Sequence, residues 1–124
     1  MKVLVVEDSK VDQFLVVTFL ENFFDGVTVE TANDGVQALE LCGSQSYDLT
    51  FLDINMPSMG GFEFLDNHCK NACNSHIIML SSSLLDEEKE KALSYSCVHA
   101  YIEKPLKEKD IEVIKAVIKG RSGD

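Results

Sequence analysis

Apolar residues recur along this chain in short blocks, separated by longer amphipathic stretches. Runs of strand length fall at 3–6 (VLVV), 27–31 (VTVET), 49–52 (LTFL) and 77–80 (IIML), with a weaker one at 98–102 (VHAYI). Three of them are continuously apolar and not alternating, the pattern of strands buried on both faces of a parallel sheet. The stretches between them carry helical spacing. Val11, Phe14, Leu15, Thr18 and Phe19 make a first apolar stripe, Val36, Ala38, Leu39 and Leu41 a second, and Phe62, Leu65 and Cys69 a third. Residues 86–93 are strongly polar with an acidic first turn, which suits a helix amino end. Ile111, Ile114, Val117 and Ile118 form the last stripe. Strand starts near 2, 27, 48, 76 and 98 are separated by about one β-α unit each. This spacing predicts an α/β fold of (βα)5 type over residues 1–119. It is an open, doubly wound, five-stranded parallel sheet with helices on both faces, and 120–124 form a short frayed tail.

Length and charge narrow the function. A chain of 124 residues holds one domain. Eleven basic against 21 acidic side chains give a net charge of −10, which argues against a nucleic-acid partner and against docking on anionic lipid. No apolar run approaches the roughly 20 residues of a membrane span, so no membrane insertion is expected. The run at 3–6 is stopped by Glu7-Asp8, before it could serve as the core of a signal peptide. Cys42, Cys69, Cys73 and Cys97 show no C-x-x-C spacing and read as reduced thiols of a cytoplasmic protein. The grouping His68-Cys69-x3-Cys73-x2-His76 has donors that suit zinc. His76, however, opens the 77–80 run, which as a strand draws that ligand away. The grouping reads as a helix end with incidental Cys and His.

In an open α/β sheet, ligands bind off the carboxyl ends of the strands. Glu7 and Asp8 follow the first strand, Asp53 ends the third, Ser81 closes the fourth and Lys104 follows the fifth. Each alone has the bland reading of a cap, a turn residue or a solvated charge. That reading weakens when all five share one edge. Three close carboxylates repel, and a hard divalent cation with oxygen ligands relieves them. Mg²⁺ with an adjacent Lys and hydroxyl is how proteins hold a phosphoryl group in transfer. Phosphate-loop, dinucleotide, nucleophile-elbow and zinc-protease motifs are all missing from the sequence. His68, His76 and His99 fall at or near the other ends of their elements, so none is placed as a base.

Val5-Val6-Glu7-Asp8-Ser9, the run Phe51-Leu52-Asp53-Ile54-Asn55-Met56-Pro57-x-Met59-x-Gly61, Ser81 and Tyr101-Ile102-Glu103-Lys104-Pro105 resemble the receiver domain of two-component response regulators. The likeness runs from residue 2 to about 119 and implies a flavodoxin-like strand order 2-1-3-4-5. It implies that Asp53 is the phosphoacceptor, fed by a sensor histidine kinase or a histidine phosphotransfer protein. It further implies that Glu7, Asp8, Asp53 and the backbone carbonyl of Asn55 hold Mg²⁺ or Mn²⁺. Lys104 and Ser81 are then expected to bind the phosphoryl oxygens, and Tyr101 to turn inward as a switch. Asn55 and Ser83 occupy positions that tune autodephosphorylation. The Lys104–Pro105 peptide is typically cis in the family, whereas sequence alone favours trans, since only about 5–6% of X-Pro bonds are cis. Ser96-Cys97-Val98 replaces a common Gly-Ala, and Ser81 stands where Thr is commoner.

The resemblance implies a switch protein, not an enzyme, that signals to an unnamed downstream protein through its fourth helix, fifth strand and fifth helix, roughly 84–119. Two alternatives stand beside a single-domain switch. One is a receiver cut from a larger hybrid kinase or DNA-binding regulator. The more remote one is a haloacid-dehalogenase-type phosphatase, whose general acid would have to occupy the position of Asn55, a residue that cannot transfer a proton in that role.

Overall fold

Successive side chains of an extended strand point to opposite sides of a sheet, so a strand buried on both sides is apolar at most positions. In the computed structural model, β1 (Lys2–Val6), β2 (Thr28–Ala32), β3 (Leu49–Asp53), β4 (His76–Ser81) and β5 (Val98–Glu103) form one parallel sheet in the order β2-β1-β3-β4-β5. The structure describes residues 1–54, 56, 59–68, 76–82 and 86–121. The three central strands are the apolar ones, and the edge strands β2 and β5 carry exposed positions.

The helices are α1 (Lys10–Phe23), α2 (Gly35–Ser44), α3 (Gly61–His68), α4 (Asp86–Leu93) and α5 (Ile111–Arg121), the last preceded by a 3-10 turn at Glu108–Asp110. Val3, Val5, Phe51, Ile78 and Leu80 face a core completed by Val16 and Leu20 of α1 and by Ile114 and Val117 of α5. Leu4, Val6, Leu52, Ile77 and Met79 face the other core, with Ala38 of α2, Phe64 and Leu65 of α3 and Ala92 of α4. The α5 helix continues through residue 120 to Arg121, two residues beyond the boundary expected for the tail.

Two expectations are corrected. Of the first stripe of α1, Val11, Phe14 and Leu15 turn away from the core, 68%, 68% and 51% exposed, whereas Phe19 packs against it. Gln13, Val16 and Leu20 are buried instead. On the buried face the Gln13 amide donates to the Glu7 carbonyl (3.1 Å) and to Asn33 Oδ1 (3.3 Å). The second correction concerns the thiols. Cys42 forms no disulfide, but Cys97 is disulfide-bonded to a partner outside the described residues. Disulfide formation depends on closeness in space, which chain spacing does not report. Cys69 and Cys73 of the weighed zinc grouping also lie outside the described residues.

Close backbone approaches fix the loop after β3. The Gly61 N–H donates to the Ile54 carbonyl at 2.7 Å, and a Cβ at Gly61 would stand 2.6 Å from the Asp53 carbonyl oxygen. Gly35 abuts the same loop, where its N–H donates to the Met59 carbonyl at 3.3 Å.

Candidate functional site

Parallel strands that all run one way deliver their following residues to one edge. Glu7 and Asp8 emerge from β1 and Asp53 from β3, and one carboxylate oxygen of each lies within 4.8 Å of the others. Glu7 and Asp53 are buried, while Asp8 is exposed. Lys104, one residue past β5, reaches into this cluster. Its ammonium donates to Glu7 Oε2 and stands 3.4 Å from Asp53 Oδ1. Only 15% of the Lys104 side chain is exposed, so it is not a solvated charge. The Lys104–Pro105 peptide is cis. Ser81 is buried at the end of β4, one residue beyond the register partner of Asp53, and its carbonyl accepts from the Lys104 N–H at 2.8 Å. It is no cap of α4, which begins five residues later, at Asp86.

The electrostatics follow from burial. Desolvation pushes the Glu7 carboxyl up from 4.5 to about 7; the Lys104 hydrogen bond opposes this and the Asp53 charge adds to it. Burial likewise raises Asp53, against the pull of Lys104. For Lys104, burial acts to lower the pKa but is outweighed by the Glu7 hydrogen bond and the charges of Asp53 and Glu7, so the ammonium is held more firmly than usual. Two buried carboxyls that resist ionisation beside an exposed third are a donor set short of positive charge. Hard oxygen ligands in this arrangement fit a divalent cation such as Mg²⁺.

One member of the cluster was not singled out in the sequence. Asp12 Oδ2 lies 3.3 Å from the Lys104 ammonium. Ser9-x-x-Asp12 has the spacing of a capping box, and Ser9 Oγ does accept from the Asp12 N–H at 3.3 Å. The Ser9 N–H, however, donates to Glu7 Oε1 at 3.2 Å. The Asp12 carboxylate, relieved of the return bond, turns to Lys104. The spacing was a usable signal for the cap and carried none for the ion pair.

Tyr101 is half-buried on β5, and its hydroxyl is shielded from solvent with no hydrogen-bond partner among the described residues. Glu88 Oε2 on α4 is in the same condition. Asn55 and Ser83 lie outside the described residues. His76 and His99 lie at the amino ends of β4 and β5, across the sheet from Asp53. No helix among the described residues is long and apolar enough to cross a membrane.

The family model for the response regulator receiver domain matches residues 3–116. The chain is 34% identical over 114 residues to hybrid signal transduction histidine kinase K of Dictyostelium discoideum, covering 85% of this chain and 9% of that protein. It thus spans about a tenth of that relative's length. A CheY-like receiver domain protein of Methanospirillum hungatei superposes with a TM-score of 0.85 at 27% identity, covering 98% of this chain and 95% of the other. The response regulator TrrA of Thermotoga maritima, solved in complex with Mg²⁺ and BeF, superposes with a TM-score of 0.75 at 28% identity, covering 94% of this chain and 97% of the other. A family match across nearly the whole chain and a shared fold lead to one conclusion: this chain belongs to the response regulator receiver domains of two-component systems.

Proposed function

We propose that Asp53 accepts a phosphoryl group from a phosphohistidine on a sensor histidine kinase or a histidine phosphotransfer protein in the cytoplasm. The observation that carries this reading is the Lys104 ammonium, 3.4 Å from Asp53 Oδ1 inside a carboxylate cluster. An Asp53 carboxylate oxygen bonds to phosphorus, the phosphorus–nitrogen bond breaks, and the donor imidazole leaves. Lys104 neutralises charge on the phosphoryl oxygens as they approach, and Ser81 is placed to donate a hydrogen bond to one of them. Glu7, Asp8 and Asp53, with the Asn55 carbonyl, would hold Mg²⁺ or Mn²⁺, which supplies charge neutralisation for the transfer.

A donor protein needs a landing surface next to Asp53. Val11, Phe14 and Leu15 offer one, exposed on the helix whose Asp12 already touches Lys104. The output runs the other way. Among the described residues the buried Tyr101 hydroxyl has no hydrogen-bond partner, and a hydroxyl left so costs about 1–3 kcal/mol. A small shift of Ser81 toward a phosphoryl group lets such a side chain settle differently and alters the α4–β5–α5 surface read by the downstream protein. The same chemistry serves a receiver within a longer hybrid kinase or DNA-binding regulator, and the full gene decides between these.

The test is acetyl phosphate with Mg²⁺, read by intact mass and peptide mapping. One acid-stable, base-labile phosphoryl group is expected on Asp53, and none in Asp53→Asn. A label on Ser81 or on a histidine overturns the assignment, and sustained turnover of a generic phosphate ester points to a phosphatase.

A further inference from the structure

At the sheet edge opposite the acidic cleft, two imidazoles converge. His76 opens β4 and His99 is the second residue of β5. Nδ1 of His76 lies 2.7 Å from Nε2 of His99, with the ring centroids 4.3 Å apart. A regular ladder would not produce this meeting. Ile77 pairs with Val98 but Ile78 pairs with Ala100, which makes His99 the extra residue of a β-bulge. Bulges re-aim a side chain and are found next to functional sites. Here the bulge brings His99 to its cross-strand neighbour. A cleft of about 390 Å³, walled by the two histidines and by Val113, Ala116 and Val117 of α5, opens beside the pair and has room for water.

We propose that His76 and His99 form a two-imidazole site for a borderline divalent transition cation of the Zn²⁺ type, with water completing its coordination. Imidazole nitrogen suits Zn²⁺, Ni²⁺ and Cu²⁺. The two facing nitrogens share one proton in the hydrogen bond. Each neutral imidazole has one bare and one protonated nitrogen, so moving that proton to the outer nitrogen of its ring frees both facing lone pairs. Nothing is oxidised and no proton is lost. Zn–N bonds of about 2.0–2.1 Å in tetrahedral geometry set ligand nitrogens roughly 3.3 Å apart. The pair therefore has to open by roughly 0.6 Å from its hydrogen-bonded distance, a small rotation for the exposed His99 ring. Mg²⁺ prefers oxygen ligands, so the two edges of the sheet sort cations by donor type.

The experiment is a Zn²⁺ titration of the full chain in excess Mg²⁺, which occupies the carboxylate cluster, with imidazole ring signals followed by NMR. The His76 and His99 ring signals should move together and saturate. His99→Ala should weaken Zn²⁺ binding by more than the roughly 10–100-fold lost when a mere supporting partner of a ligand is removed. Asp53→Asn should bind Zn²⁺ like wild type, and Cu²⁺ should bind more tightly than Zn²⁺. His99 is exposed, so its truncation leaves the core intact, and His76→Gln gives a second variant that keeps side-chain bulk. Ring signals that stay still, or a His99→Ala protein that binds Zn²⁺ as wild type does, would overturn the site.

Discussion

Glu7 carries a heavy desolvation cost: it is a carboxyl 1% exposed, beside Asp53, held by the Lys104 ammonium and the Ser9 N–H. Its pKa of about 7, against an ordinary 4.5, means that the folded chain keeps a proton that the unfolded chain has already lost. The folded state binds more protons across that window, so the stability present at low pH is lost as pH rises from about 4.5 to about 7. Glu7→Gln removes this loss. In chelator, the variant should match wild type at low pH and be the more stable protein above pH 7, as read by denaturant unfolding. Two glycines give opposite expectations at the same scale. Gly61→Ala drives a Cβ to 2.6 Å from the Asp53 carbonyl, and the forced backbone shift should cost about 1–3 kcal/mol. Gly43 lies inside α2 with nothing within 4 Å of an added Cβ. Gly43→Ala should therefore stabilise by about 0.5–1 kcal/mol.

Among the elements, α1 buries one face and exposes an apolar stripe on another. Val16 and Leu20 anchor it to the sheet, and Gln13 ties it to the Glu7 carbonyl beside the carboxylates. Gln13→Ala leaves buried polar groups unpaired and should cost about 1–3 kcal/mol. Phe14→Ser, on the exposed face, should change stability by no more than about 0.5 kcal/mol. If a donor protein lands on this stripe, Phe14→Ser slows phosphotransfer from the donor while the rate with acetyl phosphate is unchanged. Equal rates with the donor for wild type and variant would move the landing surface elsewhere. Hydrophobic periodicity alone could not choose between the stripes. Both are helical in spacing, and the choice is made by which face meets the sheet.

For the whole molecule, a cation held by the carboxylate cluster would couple binding to folding. A cation that binds only the folded state adds about 2.7 kcal/mol at a hundredfold excess over its dissociation constant. Millimolar Mg²⁺ should thus raise the melting temperature, most at pH values where Glu7 is ionised, and Asp8→Ala should abolish the rise. Signal transmission is also a property of the whole. Beryllofluoride on Asp53 should shift amide resonances along α4, β5 and α5 as well as those beside Asp8 and Asp53. Changes confined to the cleft would show that no signal travels through Tyr101.

The alternation of five strands and five helices was legible in the sequence, because strands buried on both sides leave an apolar run that needs no partner to be seen. The residues Glu7, Asp8, Asp53, Ser81 and Lys104 were legible for a related reason. Parallel topology sends every strand's carboxyl end to one edge, so a position along the chain becomes a position in space. Four features were decided only by the tertiary structure: the buried stripe of α1, the Asp12–Lys104 ion pair, the His76–His99 contact and the bonded state of Cys97. The ion pair spans 92 positions of chain and the histidine contact spans 23. Periodicity is a local quantity, whereas these contacts exist only once the sheet has fixed which strand ends and helix faces are neighbours.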